Sequence, residues 1–183
     1  MAMDKLLLPD EIKGERIVLK KNAVEQAEEI FLCADSDREH LRPFLMWVDK
    51  VKTLDDEIKF IEGSDSWKGK PMRSYGIFYK DKYVGNIGAH SIVLADNKCE
   101  LGYWIHSKYE GKGLVSEAIS LLEKTLFSAG FTRIEAYCAT QNTRSIKLAE
   151  RNGYKLEGKI KEKLFEDRDE VELMIFAKNI LED

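Results

Sequence analysis

The stretch CELGYWIHSKYEGKGLV, from Cys99 to Val115, decides the fold. Its apolar run 101–105 is typical of a strand, and a loop with two glycines, Gly111 and Gly113, joins it directly to an amphipathic helix. Glycines at such a turn let the main chain approach a ligand closely. The first amides of the helix and the positive end of its dipole then face that ligand. The pattern predicts an anion site, typically for a phosphate or pyrophosphate.

Length and composition predict one globular domain over residues 1–183, since 44% of the residues are hydrophobic and 34% are charged. No run approaches the roughly 18 apolar residues of a membrane span, and the N-terminus lacks the layout of a signal peptide. We therefore expect a cytoplasmic protein without a membrane partner. The net charge of −4 argues weakly against a nucleic-acid partner, and the sequence leaves a monomer and a homodimer equally open.

The cysteines and histidines do not have the spacing of a metal site. No CxxC pair and no HExxH motif occurs among the three cysteines and three histidines, which are Cys33, Cys99, Cys138, His40, His90 and His106. We expect buried thiols in a reducing compartment and no metal.

The pattern on either side of the opening stretch predicts a mixed α/β chain with a largely antiparallel sheet. Thr53 and Asp56 form a capping-box pattern, and Gly130 and Asn152-Gly153 end helices. The predicted strands cover 16–20, 74–79, 83–93, 100–106, 132–139, 155–165 and 171–178, and the predicted helices cover 22–34, 36–44 with Ser36 as cap, and segments beginning at 53, 114 and 142.

The glycine loop has three other possible interpretations. A plain tight turn is the simplest of them. A Walker loop is excluded because no Gly-Lys-Ser/Thr stands at the required spacing. A dinucleotide fingerprint is excluded because its third glycine is missing, Glu135 lies in mid-strand, and antiparallel strands precede the loop.

Taken together, three motifs resemble the GNAT superfamily of acyl-CoA N-acyltransferases. The segment 110–115, EGKGLV, is similar to the pyrophosphate loop of that family, and 100–105, ELGYWI, is similar to its splayed strand. The run NTRS, 142–145, with Leu148 and Asn152-Gly153-Tyr154, is similar to its second cofactor motif. The resemblance covers most of 75–176. It implies the GNAT fold, an α+β arrangement with splayed central strands and flanking helices.

Within the superfamily the chain resembles the Rim-type ribosomal-protein N-acetyltransferases and their small-molecule relatives. The segments that support this closer resemblance are LRPFLMW at 41–47, GYWI, YEGKG and the Ser-Glu-Ala after the loop. The resemblance implies that the segment around Trp47 lines the acceptor pocket, although its apolar side chains could equally cover the core.

The loop departs from the family pattern at two positions. Glu110 stands where Gln or Arg is usual, and an acid that pointed inward would repel a pyrophosphate. Main-chain amides supply most of such a cradle, so Glu110 could face solvent while Lys112 supplies positive charge. Val115 replaces the usual Gly or Ala and would slightly narrow the approach to the main chain.

The resemblance implies acetyl-CoA as co-substrate, with main-chain atoms of the splayed strand pairing with the pantetheine arm. The residues expected to bind it are Trp104, Ile105, His106, Glu110, Gly111, Lys112, Gly113, Leu114, Val115, Asn142 and Ser145. Helix capping alone would also explain Asn142.

Acyl transfer to an amine needs positioning, a route for the ammonium proton, polarisation of the carbonyl and protonation of the thiolate. By resemblance Ser145 is the general acid, although a first-turn serine facing solvent is also common. Glu100, an acid in an apolar strand, is the first candidate base; His90 is the second and is also expected in the acceptor site. The Rim-like glutamate of the penultimate strand falls on Leu164, with Glu162 two residues away, so a water chain is a further possibility.

These observations predict an acetyl-CoA-dependent N-acetyltransferase that acts on a primary amine, such as a protein N-terminus. Two alternatives stay open at this point. One is a small-molecule acetyltransferase for polyamines or antibiotics, and the other is a non-catalytic acyl-CoA-binding module.

Overall fold

The computed structural model describes residues 8–63, 66–67, 70–164 and 169–180. The strands are β1 (Glu11–Lys13), β2 (Ile17–Lys21), β3 (Ser66–Trp67), β4 (Lys70–Pro71), β5 (Arg73–Tyr79), β6 (Lys82–Val93), β7 (Lys98–Ile105), β8 (Arg133–Ala139), β9 (Lys155–Glu162) and β10 (Val171–Asn179). The α-helices are α1 (Ala27–Asp35), α2 (Arg38–Leu41), α3 (Leu54–Glu62), α4 (Leu114–Ser128) and α5 (Thr143–Arg151).

Eight of the strands form one sheet in the order β1-β2-β5-β6-β7-β8-β10-β9, and β3 pairs separately with β4. Every neighbouring pair in the large sheet is antiparallel except β7 and β8. These two run parallel and stay in register only from Lys98–Arg133 to Glu100–Glu135. Beyond Glu100 the strands diverge, so the predicted splay and the mixed, mostly antiparallel sheet are confirmed.

The two faces of the sheet are covered by different helices. One face packs on α4, whose Leu114, Ala118, Leu122 and Leu126 are at most 1% exposed in the main core. The other face carries a smaller core in which Ile30 of α1 and residues of α3 pack on β5 and β6. The splay therefore has a helix-covered layer on each side.

Local sequence explains several element ends. Thr53 Oγ1 accepts a hydrogen bond from the Asp56 amide at 3.2 Å, and Asp56 Oδ2 accepts one from the Thr53 amide at 3.0 Å, which confirms the capping box of α3. Lys80 and Asp81 both have positive φ, as a two-residue turn between β5 and β6 requires. Gly130, with φ of 95°, follows the end of α4.

Some boundaries differ from prediction. The short β1 was not predicted, and it exists because it pairs with β2 rather than through a pattern of its own. The cap predicted at Ser36 is wrong, since α2 starts after Asp37. The last hairpin strand begins as predicted but β9 ends at Glu162; Phe165 and most of the charged turn at 166–169 lie outside the described residues. Within the described part of the chain, no helix is long and apolar enough to cross a membrane.

Candidate active site

The glycine loop forms an open cradle at the start of α4. Gly111 and Gly113 have φ of 71° and 75°, a region that L side chains rarely adopt. The first helical hydrogen bond of α4 runs from the Glu117 amide to the Gly113 carbonyl, so the amides just before it have no partner within the helix. A Cβ at Gly111 would meet nothing within 4 Å. The loop therefore offers unpaired amides and open space to an anion.

Arg16, the residue before β2, anchors this loop through hydrogen bonds. Its Nη1 donates to the Lys112 carbonyl at 2.8 Å, and its Nε donates to Glu117 Oε2 at 2.8 Å. Glu117 Oε1 also accepts from the Arg16 amide at 2.8 Å. The cradle is thereby fixed to an element 96 residues away in sequence before any ligand arrives.

Asp37, between α1 and α2, holds the other end of the loop. Its two carboxylate oxygens accept hydrogen bonds from the amide and the hydroxyl of Ser107, each at 2.7 Å. The predicted cofactor residue His106 belongs to the same anchor. His106 is 6% exposed, its Nδ1 accepts a hydrogen bond from the Lys108 amide at 3.1 Å, and its Nε2 lies 3.3 Å from Ser36 Oγ. The His106 side chain thus orders the loop from within the protein.

Glu110 does not point into the cradle as an isolated charge. Its Oε1 lies 2.8 Å from His40 Nε2, and its Oε2 accepts from Arg144 Nη1 at 2.7 Å. Lys112 is exposed, and its Nζ lies 5.0 Å from the centre of the Tyr109 ring. The acid that departs from the family pattern is therefore held by two basic side chains.

The first residues of α4 contribute through their main chain. Leu114 is 1% exposed and Val115 is 8% exposed, and both side chains belong to the main core. The Val115 side chain consequently points away from the cradle. It therefore does not narrow the approach of a ligand to the main chain.

Alternation along β7 determines which main-chain groups face the splay. The His106 amide donates to the Val84 carbonyl on the β6 side at 2.9 Å, and a Cβ at Gly85 of β6 would overlap the Trp104 carbonyl oxygen. Trp104 and His106 therefore direct their main chain to β6, while Ile105 and Tyr103 direct theirs to the gap. The main-chain groups that a ligand in the gap would meet are therefore those of Tyr103 and Ile105 rather than those of Trp104.

Ser145 lies where the gap meets the start of α5. Its Oγ is 3.0 Å from the Tyr103 hydroxyl and 3.2 Å from Cys138 Sγ, so β7, β8 and α5 converge on one hydroxyl. Asn142 Oδ1 accepts from the Ser145 amide at 3.1 Å and caps α5. Burial raises the pKa values of both Tyr103 and Cys138, which keeps these neighbours protonated.

A cavity of about 270 Å³ opens on the sheet face covered by α1 and α3. It brings together the predicted residues Trp47, His90, Glu100 and Trp104. The other lining residues are Asn22, Ile30, Phe44, Leu45, Met46, Glu57, Phe60, Met72, Ser74, Tyr83, Asn86, Leu101, Gly102, Tyr103 and Tyr137. Because Tyr103 and Tyr137 flank the splay on β7 and β8, the cavity reaches the gap between those strands.

Comparison with known proteins gives the family. The profile described as "Acetyltransferase (GNAT) domain" matches residues 16–155. The chain belongs to the GNAT acetyltransferase family. This GNAT protein is an acetyl-CoA-dependent N-acetyltransferase, with acetyl-CoA as its co-substrate.

Relatives in sequence include the ribosomal-protein-serine acetyltransferase of Escherichia coli (strain K12), which is 25% identical over 154 residues, or 83% of this chain and 86% of that protein. The structure of the microcin C7 self-immunity acetyltransferase MccE, in complex with acetyl-CoA and AMP, matches with a TM-score of 0.87 at 29% identity, covering 95% of this chain and 98% of that one. The L7/L12 α-N-protein acetyltransferase RimL, in complex with coenzyme A, matches in fold with a TM-score of 0.86 at 21% identity, covering 94% and 99%.

The two predicted base candidates of this GNAT enzyme differ in environment. Glu100 pairs in register with His90 and lines the cavity next to the splay. The Glu100 charge also acts on Tyr137, whose pKa is raised to about 12 by burial and then by the negative charges of Glu135 and Glu100. Burial lowers the pKa of His90 to about 4, and its Nδ1 lies 3.2 Å from Met72 Sδ. An imidazole with that pKa is a weak base at neutral pH, which argues against His90, and Glu100 stays the predicted base.

Sequence reasoning missed Glu57, an acid inside the same cavity. Glu57 is 3% exposed, and burial raises the pKa of its carboxyl to about 7. Its position four residues before the buried Ile61, on the same face of α3, was the available signal. The remaining alternative, Glu162, ends β9 at the sheet edge and is not among the lining residues. Among the residues the structure describes, no group of three or more His, Cys, Asp or Glu could hold a metal ion.

Proposed function

We propose that this enzyme acetylates the α-amine of a protein or peptide N-terminus by direct attack on acetyl-CoA. The observation that carries the proposal is the continuity of three features. The glycine cradle starts α4, the gap between β7 and β8 follows it, and the cavity under α1 and α3 opens onto that gap. The donor and the acceptor can thus reach one point from opposite sides.

Residues Gly111 to Gly113 and the following amides of α4 hold the pyrophosphate in this proposal, and Ile105 and Tyr103 pair with the pantetheine arm. Bound acetyl-CoA supplies the thioester carbonyl that the amine attacks. An amide of β7 that faces the gap polarises this carbonyl.

In the transfer step the acceptor nitrogen forms a bond to the carbonyl carbon, and the carbon–sulfur bond breaks. Glu100, directly or through water, takes the proton that the amine loses. Ser145, whose hydroxyl lies 3.0 Å from that of Tyr103, gives a proton to the leaving thiolate and takes one back from water. An α-amine has a pKa of about 7.7 and is partly uncharged at neutral pH, so a weak base suffices for this acceptor.

Two classes of acceptor are candidates for this enzyme. The E. coli relative is named for ribosomal-protein serine, which supports a protein N-terminus for this chain. The cavity itself supports a second candidate, a small cationic amine, because it is lined by the carboxylates of Glu57 and Glu100 and is partly covered by Trp47. The neighbour MccE, whose structure holds AMP, shows that a small molecule can accompany acetyl-CoA in this fold.

A thiol-release assay with acetyl-CoA tests the proposal across N-terminal peptides, diamines and aminoglycosides. Turnover with peptides that lack internal lysine would support the N-terminal acceptor, whereas turnover confined to diamines or aminoglycosides would favour the second candidate. Thermal stabilisation by acetyl-CoA without thiol release from any amine would refute both. A cytoplasmic location and a single domain over 1–183 remain predictions.

A further inference from the structure

Glu57 lies in the cavity without a partner of opposite charge. Its carboxylate receives no hydrogen bond or ion pair from the side chains that the structure describes, and burial alone perturbs it. In the same cavity wall Asn22 is 8% exposed, and its Oδ1 is buried without a donor among the described residues. Burying a carboxylate without a partner of opposite charge costs free energy, which a cation that donates hydrogen bonds to it would recover.

The charges around the cavity favour a cation. Two carboxylates line it, those of Glu57 and Glu100, and none of the described lining residues is lysine or arginine. His90 is the single lining residue with a basic ring, and its low pKa leaves it uncharged at neutral pH. A positively charged group would therefore enter without meeting a like charge.

The walls have the second property of a cation site, because aromatic rings surround the space. The centroid of the Trp47 ring lies 5.7 Å from that of Trp104 and 6.4 Å from that of Phe60, and Tyr83 lies 6.0 Å from Trp104. Indole and phenol faces attract ammonium and guanidinium groups. Aromatic faces beside a buried carboxylate form a site for an organic cation rather than for a hydrated metal ion.

We propose that Glu57, walled by Trp47, Tyr83 and Trp104, binds a second positively charged group of the acceptor while the reacting amine lies at the splay. The inference rests on the proposed acetyl transfer. It makes Glu57 a specificity-determining residue and defines the acceptor class as a primary amine that carries a further ammonium or guanidinium. A diamine and a peptide with a basic side chain near its N-terminus share this chemistry.

The test compares matched acceptors that differ only in the second charge. One pair is diaminobutane and butylamine, and the other is glycyl-lysine amide and glycyl-norleucine amide. For at least one pair, we expect the wild-type kcat/KM to be about tenfold or more higher for the charged member. Glu57→Gln should reduce that ratio about tenfold or more, mainly through KM. Glu62→Gln, which removes an exposed carboxylate from the same helix, should leave the ratio unchanged.

The pair that responds identifies the source of the cation. Ratios near one in the wild type, or a ratio that Glu57→Gln leaves unchanged, would overturn the assignment while acetyl transfer itself stands. If no acceptor releases thiol, the proposed function fails, and calorimetry with diaminobutane then decides the site separately. Binding to the wild type that Glu57→Gln abolishes would sustain the cation site, and absence of binding would overturn it.

Discussion

Replacing Glu57 by Gln should make the unliganded enzyme more stable at alkaline pH than the wild type. The folded protein holds the Glu57 proton more tightly than the unfolded chain does, because burial raises the pKa from 4.5 to about 7. The stability this proton contributes is therefore fully present below pH 4.5 and is lost as pH rises through about 7. At about 1.4 kcal/mol per pKa unit, the loss amounts to about 3 kcal/mol.

The difference between the variant and the wild type isolates this effect. His90 works in the opposite direction, since burial lowers its pKa from 6.5 to about 4 and its contribution is lost as pH falls through that range. The contributions of these two residues would consequently leave only a small net change with pH in the free energy of unfolding of the wild type. In the difference, the Glu57→Gln advantage should grow by about 2.5 kcal/mol from about pH 5 to about pH 8.

Urea unfolding, followed by tryptophan fluorescence at several pH values, measures this difference. Glu62→Gln serves as the control for the loss of one carboxylate from α3. If the free-energy difference between Glu57→Gln and the wild type varied by less than about 0.5 kcal/mol across the range, the carboxylate would be hydrated and the argument from burial would be refuted.

Three further substitutions test the cofactor and transfer residues. Gly113→Asp should remove the stabilisation of the fold by acetyl-CoA, which is about 2.7 kcal/mol at a hundredfold excess over Kd. Gly130→Asp, at the far end of α4, introduces the same positive-φ strain and should retain this stabilisation. If acetyl-CoA still stabilised Gly113→Asp, the loop would be excluded as the cradle. Ser145→Ala should lower kcat by about a hundredfold with Kd for acetyl-CoA within a few fold, and normal turnover would remove Ser145 as the acid. Glu100→Gln should displace the acidic limb of the pH–rate profile, and an unmoved limb would discard Glu100 as the base.

Local patterns were sufficient to predict the cradle and the flanking helix starts. The positive φ of Gly111 and Gly113, the Thr53–Asp56 box and the Asn142 cap each depend on residues a few positions apart, so periodicity and turn chemistry reveal them. The α+β architecture followed from the alternation of those patterns along the chain.

Contacts between distant segments could not be predicted in this way. The anchor from Arg16 to Glu117 joins residues 101 positions apart, and the pairing of Glu110 with His40 spans 70 positions. The orientation of Trp104 depends on the register of β6 with β7, which the sequence pattern does not specify. A departure such as Glu110 therefore looked unfavourable in sequence, although its partners lie within 2.8 Å in the structure.

Glu57 illustrates a different limit. Amphipathic helices are recognised by their apolar residues, and an acid on the edge of that stripe is usually assigned to solvent. Its burial results from the packing of α3 over β5 and β6, together with the cavity beneath the helix. Only the three-dimensional arrangement distinguishes this acid from the exposed Glu62 one turn further on.

The divergence of β7 and β8 gives the sheet two internal edges, and this determines which molecules can compete for the gap. Each edge has unsatisfied amides and carbonyls, as an outer edge does, but the strands meet at Glu100 and Glu135 and close one end. An outer edge can pair with a strand of another sheet, whereas these two edges face each other across one gap. A single slender chain with its own amide groups can enter and complete the hydrogen bonding. In the proposed function a bound donor would thus be a temporary strand of the protein, and the shape of the opening would select for it independently of side-chain chemistry.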